Sequence, residues 1–442
     1  MNKPSPHVTR MGPLLTPDPS RVLLRPFFPA RAELAWNIVA RVLALSEREC
    51  VAELDWVLLG FADRHEDLKA QLRRRFLVVQ EFVDRPIEIS PERETLVGAY
   101  FSLEYALEAA ALFNPSIVEH PDQSGLEAGA LRFILSLRAT GEGHVSSVTF
   151  RTGILDVGNE VTLTPLGPYV TEAQPVADAH WLQPASPPMR SRRADDLGAG
   201  EFRWDDVSFA PSGPLDSRVL FPAGPLRSHG IEDARFVRFT ELDGKSTYYA
   251  TFTAYDGKNA LPQLLTTDDF LRFRFIPLRG PSIVNKGMAL FPRKIDGRYW
   301  MLSRQDDENI LLMDSHEVDY WHNPKVLLRR NRPWEFVKLG NCGSPIETPK
   351  GWLVLSHGVG FMRQYGIGAF LLDLEDPTRV LGRLRDPLLT PQADERRGYV
   401  PNVVYTCGAV IHGTDLVIPF AMNDSATVFG KVDLSELFYA ME

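Results

Sequence analysis

Apolar residues recur at three- and four-residue steps over the first part of the chain and at two-residue steps over the rest. Between about Ala30 and Val83 one stripe holds Leu34, Ile38, Val39, Val42 and Leu43. A second holds Val51, Leu54, Leu58 and Phe61, and a third Leu68, Leu72 and Phe76. That is the period of amphipathic helices, so three helices joined by short turns are expected there. Ser46 followed by Glu49 predicts a capping box at the start of the second. The charges among them (Arg64, His65, Glu66, Asp67, Arg73, Arg74, Arg75) read as a solvated face. The apolar stripe reads as a surface for the main domain or for a second subunit of a homo-oligomer.

After about Leu96 the period becomes two. Runs such as Leu131–Leu137, Ala234–Phe239, Thr247–Ala254, Tyr299–Ser303, Trp352–Gly358 and Leu416–Ala421 alternate with Gly, Pro, Asp and Asn, the pattern of many short strands. Within them Asn285-Lys286, Gly343-Ser344 and Pro401-Asn402 recur at even spacing. Gly230-Ile-Glu-Asp lies nearly one unit earlier, and Asn114-Pro-Ser opens the first. Five starts predict a mainly β fold, a five-bladed β-propeller with an N-terminal helical extension, its ring closed by a strand near Leu96–Leu103. The expected division is an N-terminal segment, 1–95, and a propeller domain, 96–442. A long Pro-, Arg- and Asp-rich insertion at about 156–222 is expected to form part of a substrate wall.

Composition narrows the function classes. The formal net charge is −9 and the 48 Lys and Arg are dispersed, which argues against nucleic-acid and membrane surfaces. No stretch is apolar enough to cross a bilayer, and three widely spaced cysteines, Cys50, Cys342 and Cys407, suit reduced thiols. A cytoplasmic protein is expected, with no cofactor, and with no metal because no His/Cys/Asp/Glu cluster has ligand spacing.

In a propeller the blade starts converge at one end of the axial channel. The polar residues there are Asn114, Glu232, Asp233, Lys286, Ser344 and Asn402, with Arg138, Arg304, His357 and Asp424 at strand ends. Carboxylates with three long cations and an imidazole suit acid cleavage of a neutral sugar combined with capture of a small anion. The structural alternatives are ordinary. Asp233 can pair with Arg235, and Arg138 and Arg304 can be strand-end ion pairs. Tyr255 can be a turn residue, and Trp321 and Trp334 can be core aromatics instead of sugar platforms. His357 precedes Gly358, which leaves room for close ligand approach.

Eight motifs carry a resemblance. Asn114-Pro-Ser-Ile, Ser136-Leu-Arg-Ala-Thr, Gly230-Ile-Glu-Asp-Ala-Arg and Asn285-Lys-Gly-Met-Ala-Leu-Phe-Pro resemble, in order, the motifs of glycoside hydrolase family 130. So do Gly351-Trp-Leu-Val-Leu-Ser-His-Gly, Leu371-Leu-Asp-Leu-Glu-Asp-Pro, Val400-Pro-Asn-Val-Val and Asn423-Asp-Ser-Ala-Thr. The similarity runs from about Leu96 to Leu437. It implies a five-bladed propeller acting on β-mannosides, in most members with inorganic phosphate as co-substrate. Inversion at the anomeric carbon then releases α-mannose 1-phosphate. It implies Asp233 as general acid, its proton passing through a sugar hydroxyl, with Arg138, Lys286, Arg304 and His357 binding phosphate. Asn114, Ser116, Glu232, Tyr255 and Asp424 are the implied sugar contacts. Two departures stand out: Ala234 where the family usually has Pro, and Gly287 where an acidic residue is common. A β-mannosidase of the same fold is the first alternative reading. An arabinan- or fructan-acting propeller would need three carboxylates, and a non-catalytic glycan-binding propeller would tolerate loss of Asp233.

Overall fold

The computed structural model describes residues 6–176, 205–224 and 226–441. The middle of the insertion expected at 156–222 therefore lies outside the described residues. The described residues divide into two compact units, one within Asp18–Ala109 and Gly167–Glu172, the other within Met1–Pro17, Ala110–Leu166 and Ala173–Glu442.

The smaller unit is helical. Helices α1 (Ala32–Leu43), α2 (Glu47–Phe61), α3 (Leu68–Val83) and α4 (Pro91–Tyr100) accompany a two-stranded ribbon, Val22–Pro26 against Ser102–Ala106. The predicted capping box opens α2: the Glu49 amide donates to Ser46 Oγ and the Ser46 amide to Glu49 Oε2. The buried stripe of α1 is Ala35, Val39 and Val42, while Leu34, Val51 and Phe61 are exposed. Helix α4 stands where a ring-closing strand was expected. Pro91 at its first turn, with Glu92 and Glu94 beside the helix N-terminus, is a start signal stronger than the local alternation. Its Gly98 is required, because a Cβ there would lie 1.9 Å from the Leu72 carbonyl oxygen of α3.

The larger unit is built of five antiparallel meanders. Ala111–Glu119, Leu131–Thr140 and Ser146–Leu155 form the first. Gly230–Thr240, Ser246–Tyr255, Ala260–Thr267 and Arg272–Pro277 form the second, joined to the first by one parallel bridge, Gly230 to Ser146. Ala289–Leu290, Tyr299–Ser303, Ile310–Ser315 and Lys325–Leu328 form the third. The fourth has Lys338–Asn341 and Ile346–Thr348 on Gly351–Val359, followed by Tyr365–Leu372 and Val380–Arg383. The fifth has Val404–Tyr405 and Val410–His412 on Asp415–Met422, followed by Ala426–Asp433. Its outermost strand is Thr9–Leu15, from the other end of the chain.

Inward-facing residues of consecutive meanders make the core. Phe150, Phe236, Phe252 and Phe273 join the first to the second, and Phe239, Met288 and Trp321 the second to the third. Leu302, Leu339 and Trp352 join the third to the fourth, and Leu355, Ile367 and Phe420 the fourth to the fifth. Ala111, Phe113 and Ala421 join the fifth back to the first.

Candidate active site

Four of the five meander starts, all but Gly343-Ser344, share a backbone device that explains why the repeat was legible. Asn114, Asp233, Asn285 and Asn402 all have left-handed φ, 48°, 53°, 64° and 67°. Asn and Asp tolerate that region because a short polar side chain can bond locally. In the first two meanders the device is a bulge: pairing slips between Phe113 and Ser116, and between Glu232 and Arg235. A bulge re-aims a side chain that would otherwise alternate with its neighbours.

The two bulges bring Asn114 and Asp233 together, with Asn114 Nδ2 donating to Asp233 Oδ1 at 2.6 Å. Arg138 spans both carboxylates of the second bulge, Nη1 to Asp233 Oδ1 at 3.2 Å and Nη2 to Glu232 Oε1 at 2.6 Å. Its Nε donates to Ser146 Oγ at 2.9 Å. The carboxylate pairing of Asp233 is thus with Arg138; Arg235 instead donates to the Asp233 carbonyl oxygen, at 2.9 Å. Burial alone would raise the Asp233 carboxyl. The charges of Arg138, Lys286 and Arg235, with the Asn114 bond, override it and hold the group well below the usual carboxylate range. Glu232 goes the other way, pushed up by burial and by the Asp233 charge against the pull of Arg138 and Lys286. Asp424, half-buried at a left-handed φ of 51°, is pushed up to about 6 by burial and then by Asp233.

The cationic side of the cluster centres on Arg304 and His357. Arg304 Nη1 donates to His357 Nε2 at 2.9 Å, and both residues are buried. Burial first, then the charges of Arg304, Arg235 and Lys338, keep His357 far below its ordinary pKa, so the ring is neutral and Nε2 accepts. The ring stacks on Tyr365 and meets Tyr405 edge-on at 5.1 Å. Gly340 makes this approach possible, since a Cβ there would lie 2.5 Å from His357 Cε1 and 3.0 Å from Arg304 Nη1. Gly287, the departure after Lys286, has the Arg304 guanidinium beside it. Lys286 acts electrostatically on Asp233, Glu232 and Asp424. Several buried polar atoms make no hydrogen bond among the described residues: Asn114 Oδ1, Ser344 Oγ and both amide atoms of Asn341, while Arg304 Nε faces Asp307 Oδ1 at 3.5 Å. Polar atoms buried without partners mark a place where a polar ligand or water is needed.

Some expected contacts fall elsewhere. Ser116 is fully buried, and its hydroxyl accepts the Phe236 amide at 3.0 Å, a tie between strands that leaves it unsuited to bind a sugar. Tyr255 is half-buried at the end of its strand, edge-on to His229. Trp321 is core, its Nε1 bonded to the Val318 carbonyl. The room beside Gly358 is filled by the Trp334 ring, 2.3 Å from where a Cβ would sit, so no ligand approaches there. Sequence reasoning missed Asn341, Lys338, Tyr405 and Arg363, the last an exposed cation that acts on Asp424. Among the described residues no group of three or more His, Cys, Asp and Glu is placed to hold a metal, and no helix is long and apolar enough to cross a membrane.

The scaffold is mainly β; it sets Glu232 and Asp233 beside Arg138 and Lys286, and it carries the buried Arg304–His357 pair. The family comparison is specific. The glycoside hydrolase family 130 model, described as beta-1,4-mannooligosaccharide phosphorylase, matches residues 216–442. The chain belongs to this family. The beta-1,2-mannobiose phosphorylase of Listeria innocua is 33% identical over 238 residues, 52% of this chain and 65% of that protein. The match thus spans a little under two thirds of that relative. The 1,2-beta-oligomannan phosphorylase of a Thermoanaerobacter species is 33% identical over 231 residues, 50% of this chain and 75% of that protein. The crystal structure of the Listeria enzyme with beta-1,2-mannobiose is 26% identical, with a TM-score of 0.51 over 75% of this chain and 92% of that one.

Proposed function

We propose that this chain is a five-bladed β-propeller that cleaves β-mannosides with inorganic phosphate, inverting the anomeric carbon and releasing α-mannose 1-phosphate. The fold reading is supported by five meanders whose apolar clusters run in cyclic order, the fifth meeting the first. Thr9–Leu15, on the outer edge of the last meander, then fastens the ring.

One observation supports the chemistry: Arg138 and Lys286 act directly on Asp233, and the Arg304–His357 pair lies beside Gly287, the residue after Lys286. Phosphate is already an anionic nucleophile, so the enzyme must grip, desolvate and aim it, without a second carboxylate to make a base. A phosphate oxygen forms the new bond to the anomeric carbon as the bond to the bridging oxygen breaks on the opposite face. The leaving alkoxide takes a proton that originates on Asp233. Asn114, Glu232 and Asp424 bind hydroxyls of the sugar being transferred. Of the four relatives at 33–36% identity, the three with the longer matches are named for β-1,2-linked mannosides and the fourth for β-1,4-linked mannooligosaccharides, which favours β-1,2-linked substrates.

Hydrolysis is the second reading, favoured by one feature. Asp424 is a carboxyl near Asp233 with no ion pair among the described residues, and it titrates at about 6, suitable for activating water. The test is β-1,2-mannobiose with and without phosphate. Phosphorolysis requires α-mannose 1-phosphate to appear only with phosphate; free mannose formed at the same rate without it would establish the hydrolase.

A further inference from the structure

Asp233 sits at a bulge. Its φ of 53° is left-handed, a region that Asp tolerates, and the slip between Glu232 and Arg235 leaves it outside the strand ladder. Outside the ladder, strand pairing does not fix the aim of the carboxylate, so it must be enforced by other contacts. Ala234 follows it, so no pyrrolidine ring stiffens the next φ.

Arg235 supplies the enforcement. It is 3% exposed, and each of its three nitrogens is committed to a different segment. Nη1 donates to the Asp233 carbonyl oxygen at 2.9 Å, Nε to the Cys342 carbonyl oxygen at 2.6 Å, and Nη2 to the Tyr405 hydroxyl at 2.9 Å. The second, fourth and fifth meanders are thereby tied at one planar, rigid fork. The Tyr405 ring lies edge-on to His357 at 5.1 Å, and His357 accepts from Arg304. A continuous path of contacts therefore runs from Asp233 through Arg235, Tyr405 and His357 to Arg304. No carboxylate oxygen accepts from the Arg235 fork in these three bonds; two carbonyls and a phenol do. The nearby Asp233 carboxylate offsets the burial of the guanidinium charge without bonding to it, which ties the fork to the acid as well as to the strands.

We infer that Arg235 is a positioning residue, holding the acid Asp233 at a set distance from the anion-binding pair Arg304 and His357 by gripping the Asp233 carbonyl and the Tyr405 hydroxyl. The inference rests on the phosphorolysis reading above. Arg235 touches no reacting atom, so its loss should slow the chemical step and leave both substrates bound as before.

Tyr405→Phe removes one oxygen and keeps the ring against His357; Arg235→Lys keeps the charge but cannot span three acceptors. The assay measures kcat, both KM values and the folded fraction for each variant on β-1,2-mannobiose and phosphate. The expected result for Tyr405→Phe is kcat lower by about 10- to 100-fold, with both KM values within about threefold and the folded fraction unchanged. Arg235→Lys should lose more kcat than Tyr405→Phe; should it fail to fold, Tyr405→Phe decides alone. A Tyr405→Phe enzyme with kcat within about twofold of wild type overturns the inference. So does one whose loss follows the folded fraction or appears in KM. If the unaltered chain gives no α-mannose 1-phosphate, the functional reading has failed, and this inference with it. An active parent with an indifferent Tyr405→Phe variant sinks the positioning role alone.

Discussion

Replacing Arg304 with Ala removes the donor that His357 Nε2 accepts at 2.9 Å, and it does so in a place closed to water, where Arg304 is 6% and His357 2% exposed. The ring cannot recover by protonation. Burial, with the remaining charges of Arg235 and Lys338, still disfavours the imidazolium. Nor can it turn, since Tyr365 stacks on one side and Tyr405 meets it on another. The bond to a charged donor is worth about 1.5–3 kcal/mol. A guanidinium that also faces the reacting anion adds to this, so the loss of transition-state stabilisation should reach about 2–4 kcal/mol. That corresponds to a fall in phosphorolysis of roughly 30- to 1000-fold. The assay follows α-mannose 1-phosphate release at saturating mannoside while phosphate is titrated, with His357→Ala and the double variant alongside. Because the two side chains share one bond, their effects should be non-additive by about 1–3 kcal/mol. An Arg304→Ala enzyme with an undiminished rate at saturating phosphate, or two strictly additive single losses, would show that Arg304 and His357 do not act together on the anion.

Three further outcomes are expected. Gly340→Ala places a methyl 2.5 Å from His357 Cε1; it should destabilise the fold by about 1–3 kcal/mol and abolish most phosphate-dependent turnover, checked by thermal unfolding and initial rates. Asp424 has a raised folded pKa of about 6, so the folded protein binds more protons than the unfolded chain between about pH 4 and 6 and loses stability as pH rises through that window. Asp424→Asn should therefore be more stable than the parent at pH 7.5, by at most about 3 kcal/mol, and no more stable below pH 4; a gap that does not change with pH would show that the carboxyl is not strained. Asp233, held ionised by Arg138, Lys286 and Asn114, needs a proton before it can act as an acid. Phosphate arriving among the same cations should draw one in, measured by calorimetry in buffers of different ionisation heat, and Asp233→Asn should show no such uptake.

Local signals account for what the chain alone made legible. The three helices of the small unit announce themselves by apolar period and by the Ser46–Glu49 box, because a helix face and its cap are set by residues within four positions of each other. The fourth helix, which begins at Pro91, was hidden by a short stretch that also reads as alternation. Asn114, Asp233, Asn285 and Asn402 stood out as a repeat because left-handed turns select Asn and Asp wherever they occur. Arg138, Lys286, Arg304 and His357 could be nominated because strand ends and turns are where side chains reach an opening.

Tertiary structure alone decided which nominees meet and how they are held. Ser116 shares a strand with Asn114, yet one points into a strand tie and the other onto Asp233, because the bulge between them reverses the alternation. Arg235 binds Cys342 across 107 positions and Tyr405 across 170. Gly340 matters only because Arg304 and His357 crowd the space where its side chain would be. Periodicity and capping are written in neighbours along the chain. Clamps, close approaches and coupled charges depend on distances through space between segments that nothing in the linear order brings together, and packing the meanders face to face is what sets those distances.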